Sequence, residues 1–130
     1  MPYSEGSVLV PLDIKRPMGM VVAERRVLQS TECFVEELLP GSNALAAGVQ
    51  VGDVLRMTTC VVEVRGKVDT FSFYSNPPAA RKRRAVLVCD KQPFGKVMKA
   101  IASNAEAVDL LDGTSRPFES VALVLERKAV

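Results

Sequence analysis

The stretch LPGSNALAAGVQVGDVL, Leu39–Leu55, decides how the chain is read. Pro40-Gly41 is a turn signal, and Ser42 or Asn43 offers the side-chain oxygen that caps a helix start. Ala44-Leu45-Ala46-Ala47 are good helix formers, and Gly48 accepts the left-handed backbone with which helices commonly end. Val49 and Val51 flank polar Gln50, and Gly52-Asp53 turns the chain into apolar Val54-Leu55. The stretch predicts a turn, one short helix and the start of a strand, with Asp53 a turn residue.

Working outward, Val8, Val10, Leu12 and Ile14 fall on alternate positions, which predicts a strand over 7–14. Lys15-Arg16-Pro17 breaks it. Met20-Val21-Val22 opens a second strand that runs into Glu24-Arg25-Arg26, and Cys33–Leu39 reads as a third. Downstream, 54–64 reads as a long fourth strand, bulged near Thr58-Thr59. Phe71, Phe73 and Tyr74 suggest a strand that Asn76-Pro77-Pro78 stops. The basic run Arg81-Lys82-Arg83-Arg84 then precedes a strand at Ala85–Cys89. Phe94–Asn104 has helical spacing, with Val97, Met98 and Ile101 on one face. Residues 106–111 prolong that helix or add a turn, and 120–126 is the last strand.

The chain has 130 residues, 48% of them apolar and 25% charged, enough for one domain with a buried core. The reading is a single domain over 7–128, an insertion at about 61–84 and a flexible segment at 1–6. No apolar run approaches the ~20 residues that span a bilayer, and polar Met1–Ser7 predicts no secretory signal. A net charge of +2 does not by itself imply nucleic acid or membrane. Cys33, Cys60 and Cys89, odd in number and without metal-ligand spacing, read as small buried hydrophobes in a reducing compartment. The absence of histidine removes the commonest general base and the usual catalytic triads. Neither GxSxG nor a P-loop occurs, so the chain is not expected to be an enzyme, and no cofactor or metal is expected.

The Leu39–Leu55 pattern resembles the PDZ family, in which a "PGSxAxxAGLxxGDxI" turn joins the third and fourth strands. The resemblance is specific at Leu39–Leu55, moderate at Ile14–Val22 and weaker over Ala85–Leu125, and Val61–Arg84 departs from it as an enlarged linker. It implies an α+β, mainly β fold: a partly open barrel or sandwich of five to six strands with one short and one longer helix, in the metazoan-type order. It also implies a non-enzymatic module that binds the C-terminus or an internal peptide of a partner by strand addition between the second strand and the longer helix. The "PxGM/L…PGSNAxxAGxxVGD" flavour is similar to plant and algal plastid proteins and points to a plastid, within an intracellular reading that keeps the cytosol as alternative. A transit peptide would then belong to a longer precursor.

Residue by residue, the resemblance assigns the carboxylate loop to Pro17-Met18-Gly19-Met20, with Lys15 or Arg16 adding charge. Gly19 lets the amides of Met18, Gly19 and Met20 converge on one anion. Met18 and Met20 would line the pocket for the terminal side chain, Val21 and Val22 continue the pairing strand, and Met20 filling core is the bland alternative. On the helix, Phe94 takes the position that selects the residue two before the terminus, with Met98 and Ile101 below it. An aromatic without a hydrogen-bonding tip implies an apolar, class II-like preference. An offset of one residue would put Pro93 or Gly95 there, and a hydrophobic staple is the structural alternative for Phe94. Gly19→Val is expected to weaken binding more than folding.

A second reading keeps the fold but closes the groove. The Val61–Arg84 segment, with the basic patch Arg81, Lys82, Arg83 and Arg84, or the Ala105–Pro117 segment then docks a protein or covers the site. Peripheral contact with an anionic surface belongs to this reading, although a charge run is more often a solvated face. Without tryptophan and with 5% aromatics, nucleic acid is not an expected partner. A monomer is expected.

Overall fold

The computed structural model describes residues 6–65 and 80–128. Its elements are β1 (Val8–Lys15), β2 (Met20–Val27), β3 (Ser30–Leu38), α1 (Asn43–Ala47), β4 (Val54–Arg65), β5 (Ala80–Val88), α2 (Phe94–Ser103), β6 (Val108–Asp109), β7 (Ser115–Arg116) and β8 (Ser120–Arg127). The fold is α+β and mainly β. One antiparallel sheet follows the path β1-β8-β4-β3-β2, with β5 added to β4, while β6 and β7 form a separate small ribbon. β1 and β2 end the path, so the sheet stays open. The principal elements follow each other in the order read from the sequence.

The Leu39–Leu55 stretch folds as its residues dictate. The Ser42 hydroxyl accepts the Leu45 N–H at 3.2 Å, fixing the start of α1. Gly48, at φ 101°, ends the helix in the left-handed region. Asp53 is buried: its carboxylate accepts the Gln50 N–H at 2.9 Å and a two-pronged grip from Arg127 at 3.0 and 2.8 Å. The turn is thereby tied to the last strand.

Between the sheet and the helices lies the core, formed by Ile14, Cys33, Val35, Ala44, Val49, Leu55, Cys89, Val97, Val121, Leu123 and Leu125. Truncating one such side chain, as in Leu125→Ala, costs about 2–5 kcal/mol. All three cysteines are free and buried, in keeping with their reading as small hydrophobes. Burial pushes the Cys89 thiol up to about 12.

Several boundaries differ from the sequence reading, each for a nonlocal reason. β5 begins at Ala80, not Ala85, because Val61↔Arg84 through Arg65↔Ala80 continue its ladder with β4. Residues 61–64 are strand, as the long fourth strand predicted, and 80–84, read as part of an insertion, are strand as well. The strand suggested at Phe71–Tyr74 lies outside the described residues. β3 starts at Ser30, closing a two-residue turn with Val27. The register shift in β4 lies between Leu55 and Met57, just before the expected bulge, where Arg56 turns inward. Residues 106–111 are not helical: Asn104 ends α2, and Val108-Asp109 pairs with Ser115-Arg116.

Candidate functional site

The loop between β1 and β2 is braced from below by α1. The Pro17 carbonyl accepts the Asn43 amide at 3.0 Å, and the Met18 carbonyl accepts the Ala44 N–H at 2.9 Å. The Gly19 carbonyl accepts the Leu39 N–H, also at 2.9 Å. Three successive carbonyls are thus drawn into the fold. Among the described residues, neither the Met18 nor the Gly19 N–H donates to a protein acceptor. Gly19 sits at φ 72°, where a side chain is strained, and a Cβ there would lie 2.5 Å from the Ser42 Cβ.

β2 forms one rim. It pairs with β3 alone, so its other edge is free among the described residues. The Leu39 N–H to Gly19 carbonyl bond marks Met20↔Leu38 as a non-hydrogen-bonded pair, which turns the Met20 backbone toward the free edge. Counting from the two-residue turn that Val27↔Ser30 closes, Val22, Glu24 and Arg26 turn their backbones the same way. Their side chains share one face, and Met18, Met20 and Val22 pack half-buried against the core. Val21 stands apart. Its side chain is exposed on the opposite face and its backbone belongs to the pairing with β3.

α2 supplies the second wall. It begins at Phe94, the position expected from the spacing, after Pro93 at the N-cap. Phe94 is thus the first helical residue, not the residue before the cap that a hydrophobic staple requires. Val97 is fully buried, Phe94 and Ile101 pack half-buried against the core, and Met98 is half-buried. The helix is hung from β4 by its last turn. The Asn104 amide donates to the Thr59 carbonyl at 2.7 Å and its oxygen accepts the Thr59 hydroxyl at 2.8 Å. The Ser103 hydroxyl accepts the Val61 N–H at 2.8 Å. Asn104 and Ser103 were not singled out in the sequence, where a polar pair at a helix end looks solvated.

Where the loop meets the end of α2, a cavity of about 620 Å³ is lined by Lys15, Arg16, Pro17, Met18, Ile101, Ala102, Ala105, Glu119 and Val121. Lys15 is exposed beside it. Arg16 is engaged: its guanidinium donates twice to the Phe118 carbonyl, at 3.2 and 2.7 Å. The structure therefore brings Lys15, Arg16, Met18 and Ile101 to one end of the β2–α2 cleft, with Met20 and Val22 along its strand wall and Phe94 at the far end of the helix.

The basic run does not make one free positive surface. Lys82 pairs with Glu106 at 2.7 Å, which raises its pKa, and donates its N–H to the Asp109 carboxylate at 2.8 Å. Arg83 donates to the Asp109 carbonyl at 2.9 Å. Arg84 stacks on the Phe118 ring at 4.3 Å and donates to the Ser120 carbonyl at 2.8 Å. Arg81 is exposed.

A buried ion network, unread in the sequence, supports the sheet behind the site. Arg56 donates through Nε to Glu126 at 3.0 Å, again through Nη2, and through Nη1 to Asp90 at 2.9 Å. The Ser7 hydroxyl donates to the other Glu126 oxygen at 2.7 Å. Burial works against the Arg56 charge, but the bonds to Glu126 and Asp90 prevail and raise its pKa. A charged residue inside each apolar run, Val54–Met57 and Leu123–Leu125 with Glu126, was the available signal.

No helix of the described residues is long and apolar enough to cross a membrane, and no cluster of three or more His, Cys, Asp or Glu among them could hold a metal ion. No protein-family model matches the chain, and no curated protein sequence matches it.

Proposed function

We propose that this chain is a PDZ-like, non-enzymatic interaction module that receives the C-terminus of a partner protein as an extra strand on β2. The observation that carries the reading is the free edge of β2: the Met20 backbone faces it, and the Met18 and Gly19 amides beside it are uncommitted. A carboxylate held by those amides would gain charge from Lys15, and an apolar terminal side chain would enter beside Met18, Met20 and Ile101. Burying that side chain contributes roughly 1.5–3 kcal/mol. With main-chain pairing added, a micromolar complex of about −8 kcal/mol is expected. Phe94 favours an apolar residue two before the terminus.

An anionic-surface role for Arg81–Arg84 is the weaker reading, since Lys82, Arg83 and Arg84 are each engaged within the fold, with Glu106, Asp109, Ser120 and Phe118. The sequence resemblance also supports a plastid location, which imaging of the tagged natural precursor would test.

The test of binding is an NMR titration of the labelled protein with C-terminal peptides and their amidated counterparts. Shifts at Met18–Val22 and along Phe94–Ile101 that amidation abolishes are expected. Unmoved signals there would end the peptide-terminus reading.

A further inference from the structure

The free edge of β2 continues past Val22 to Arg26, and there the chemistry changes. At that end a cavity of about 540 Å³ opens between the β2–β3 turn and the residues leading into α2, lined by Arg26, Gln29, Ser30, Lys91, Gln92 and Pro93 among others. Arg26 and Lys91 are both exposed, and among the described residues neither forms an ion pair. The neighbouring charges are spoken for: Arg25 pairs with Glu32 at 2.8 Å, and Asp90 with Arg56 at 2.9 Å. Glu24, exposed on the same face as Arg26 and two residues back, is the one carboxylate on the β2 side of this approach. The local balance is positive at the mouth of the cavity.

We propose, resting on the strand-addition reading, that this cavity is a second specificity subsite that selects an acidic side chain about six residues before the ligand's C-terminus. An antiparallel ladder fixes the distance. Arg26 lies six residues along β2 from Met20, so the ligand residue opposite it is six upstream of the one opposite Met20. The period of two puts that side chain on the same face as the terminal one, toward Arg26 and Lys91. The occupant is an acidic residue because two unpaired cations and uncharged polar groups line the cavity. The ligand residue opposite Glu24 is correspondingly not acidic.

The experiment uses labelled decapeptides with a free apolar C-terminus and Glu, Ala or Lys at the sixth residue before it, followed by fluorescence anisotropy. Glu is expected to bind about fivefold tighter than Lys at low salt, the yield of two exposed ion pairs. The difference should collapse when salt brings the screening length to a few ångströms. In Arg26→Glu/Lys91→Glu the order of Glu and Lys peptides should reverse, while tetrapeptides, too short to reach the cavity, keep their affinity and so report an intact groove. Equal affinities for the Glu, Ala and Lys peptides, with amidation still abolishing binding, would overturn this subsite alone. Binding indifferent to amidation would instead overturn the strand-addition reading beneath it.

Discussion

Gly19 and Ser42 meet so closely that no side chain fits at Gly19: a methyl there would stand 2.5 Å from the Ser42 Cβ, at a φ of 72° that only glycine takes without strain. The contact joins the β1–β2 loop to the cap of α1. It also changes the expectation drawn from sequence, in which Gly19→Val was a probe of binding.

Gly19→Ala should destabilise the fold by about 2–4 kcal/mol, the left-handed strain plus the overlap. Ser42→Gly alone should cost a few tenths, because glycine is a tolerable cap. The double variant should recover part of the loss, a positive coupling readable from urea denaturation. Strict additivity of the two changes would mean the contact is not the cause.

Phe94→His should move the ligand preference toward Ser or Thr two residues before the terminus, since α2 begins at Phe94. A peptide array reads this directly. An unchanged profile would place the selecting position elsewhere on the helix.

Removing one partner of the buried Arg56–Glu126 pair, as in Arg56→Met, should cost about 3–5 kcal/mol by leaving a carboxylate buried without its guanidinium. Replacing both, Arg56→Met with Glu126→Leu, should cost much less. If the double variant is as unstable as the single, the loss comes from packing and not from charge.

The thiols should be inert in the folded protein and reactive once it unfolds, because all three are buried. The Cys89 thiol is raised from 9.0 to about 12, so its neutral form is favoured by folding. That contribution is complete below pH 9 and is lost as pH rises toward 12. Titration with a thiol reagent should therefore show no reaction near pH 8 and three equivalents in denaturant; rapid native labelling of Cys89 would refute the burial argument.

Asp109 titrates below its usual value, mainly because the Ser115 hydroxyl and then the Lys82 N–H donate to it. A lowered folded pKa means these bonds stabilise above the unfolded value of about 3.8 and fade as pH falls through the folded one. Exchange of the Lys82 amide should quicken below pH 4 relative to its neighbours in β5. Unaltered protection there would detach Asp109 from that strand.

What was legible in the sequence is what is local. Ser42 and Gly48 act within a few residues and Asp53 takes the Gln50 N–H beside it, so this turn chemistry could be read directly, while the grip of Arg127 on Asp53 could not, and the spacing of Val97, Met98 and Ile101 placed α2. The membership of Arg81–Arg84 in β5 was not legible, because it depends on pairing with Val61–Val64 and on partners as distant as Glu106 and Phe118. Arg56 and Glu126 escaped for the same reason: two opposite charges buried 70 residues apart look, in sequence, like exposed positions on a strand. Within the candidate site the place of the loop between β1 and β2 and the start of α2 at Phe94 were readable. The bracing of Pro17 and Met18 by Asn43 and Ala44 was not, nor that Val21 belongs to the other face.

The way α2 is attached gives the cleft unequal ends. Its side-chain bonds to the sheet, through Ser103 and Asn104, all sit in the final turn, while the Pro93 end has no side-chain cap bond. A ten-residue helix is about 15 Å long. Pinned at one end it is a lever: a tilt of a few degrees about Asn104 leaves Ile101 nearly still and carries Phe94 by about 1 Å. The aperture beside Met18 is thus anchored by side-chain hydrogen bonds, and the one beside Phe94 is held by packing of Phe94 and Val97 against the core.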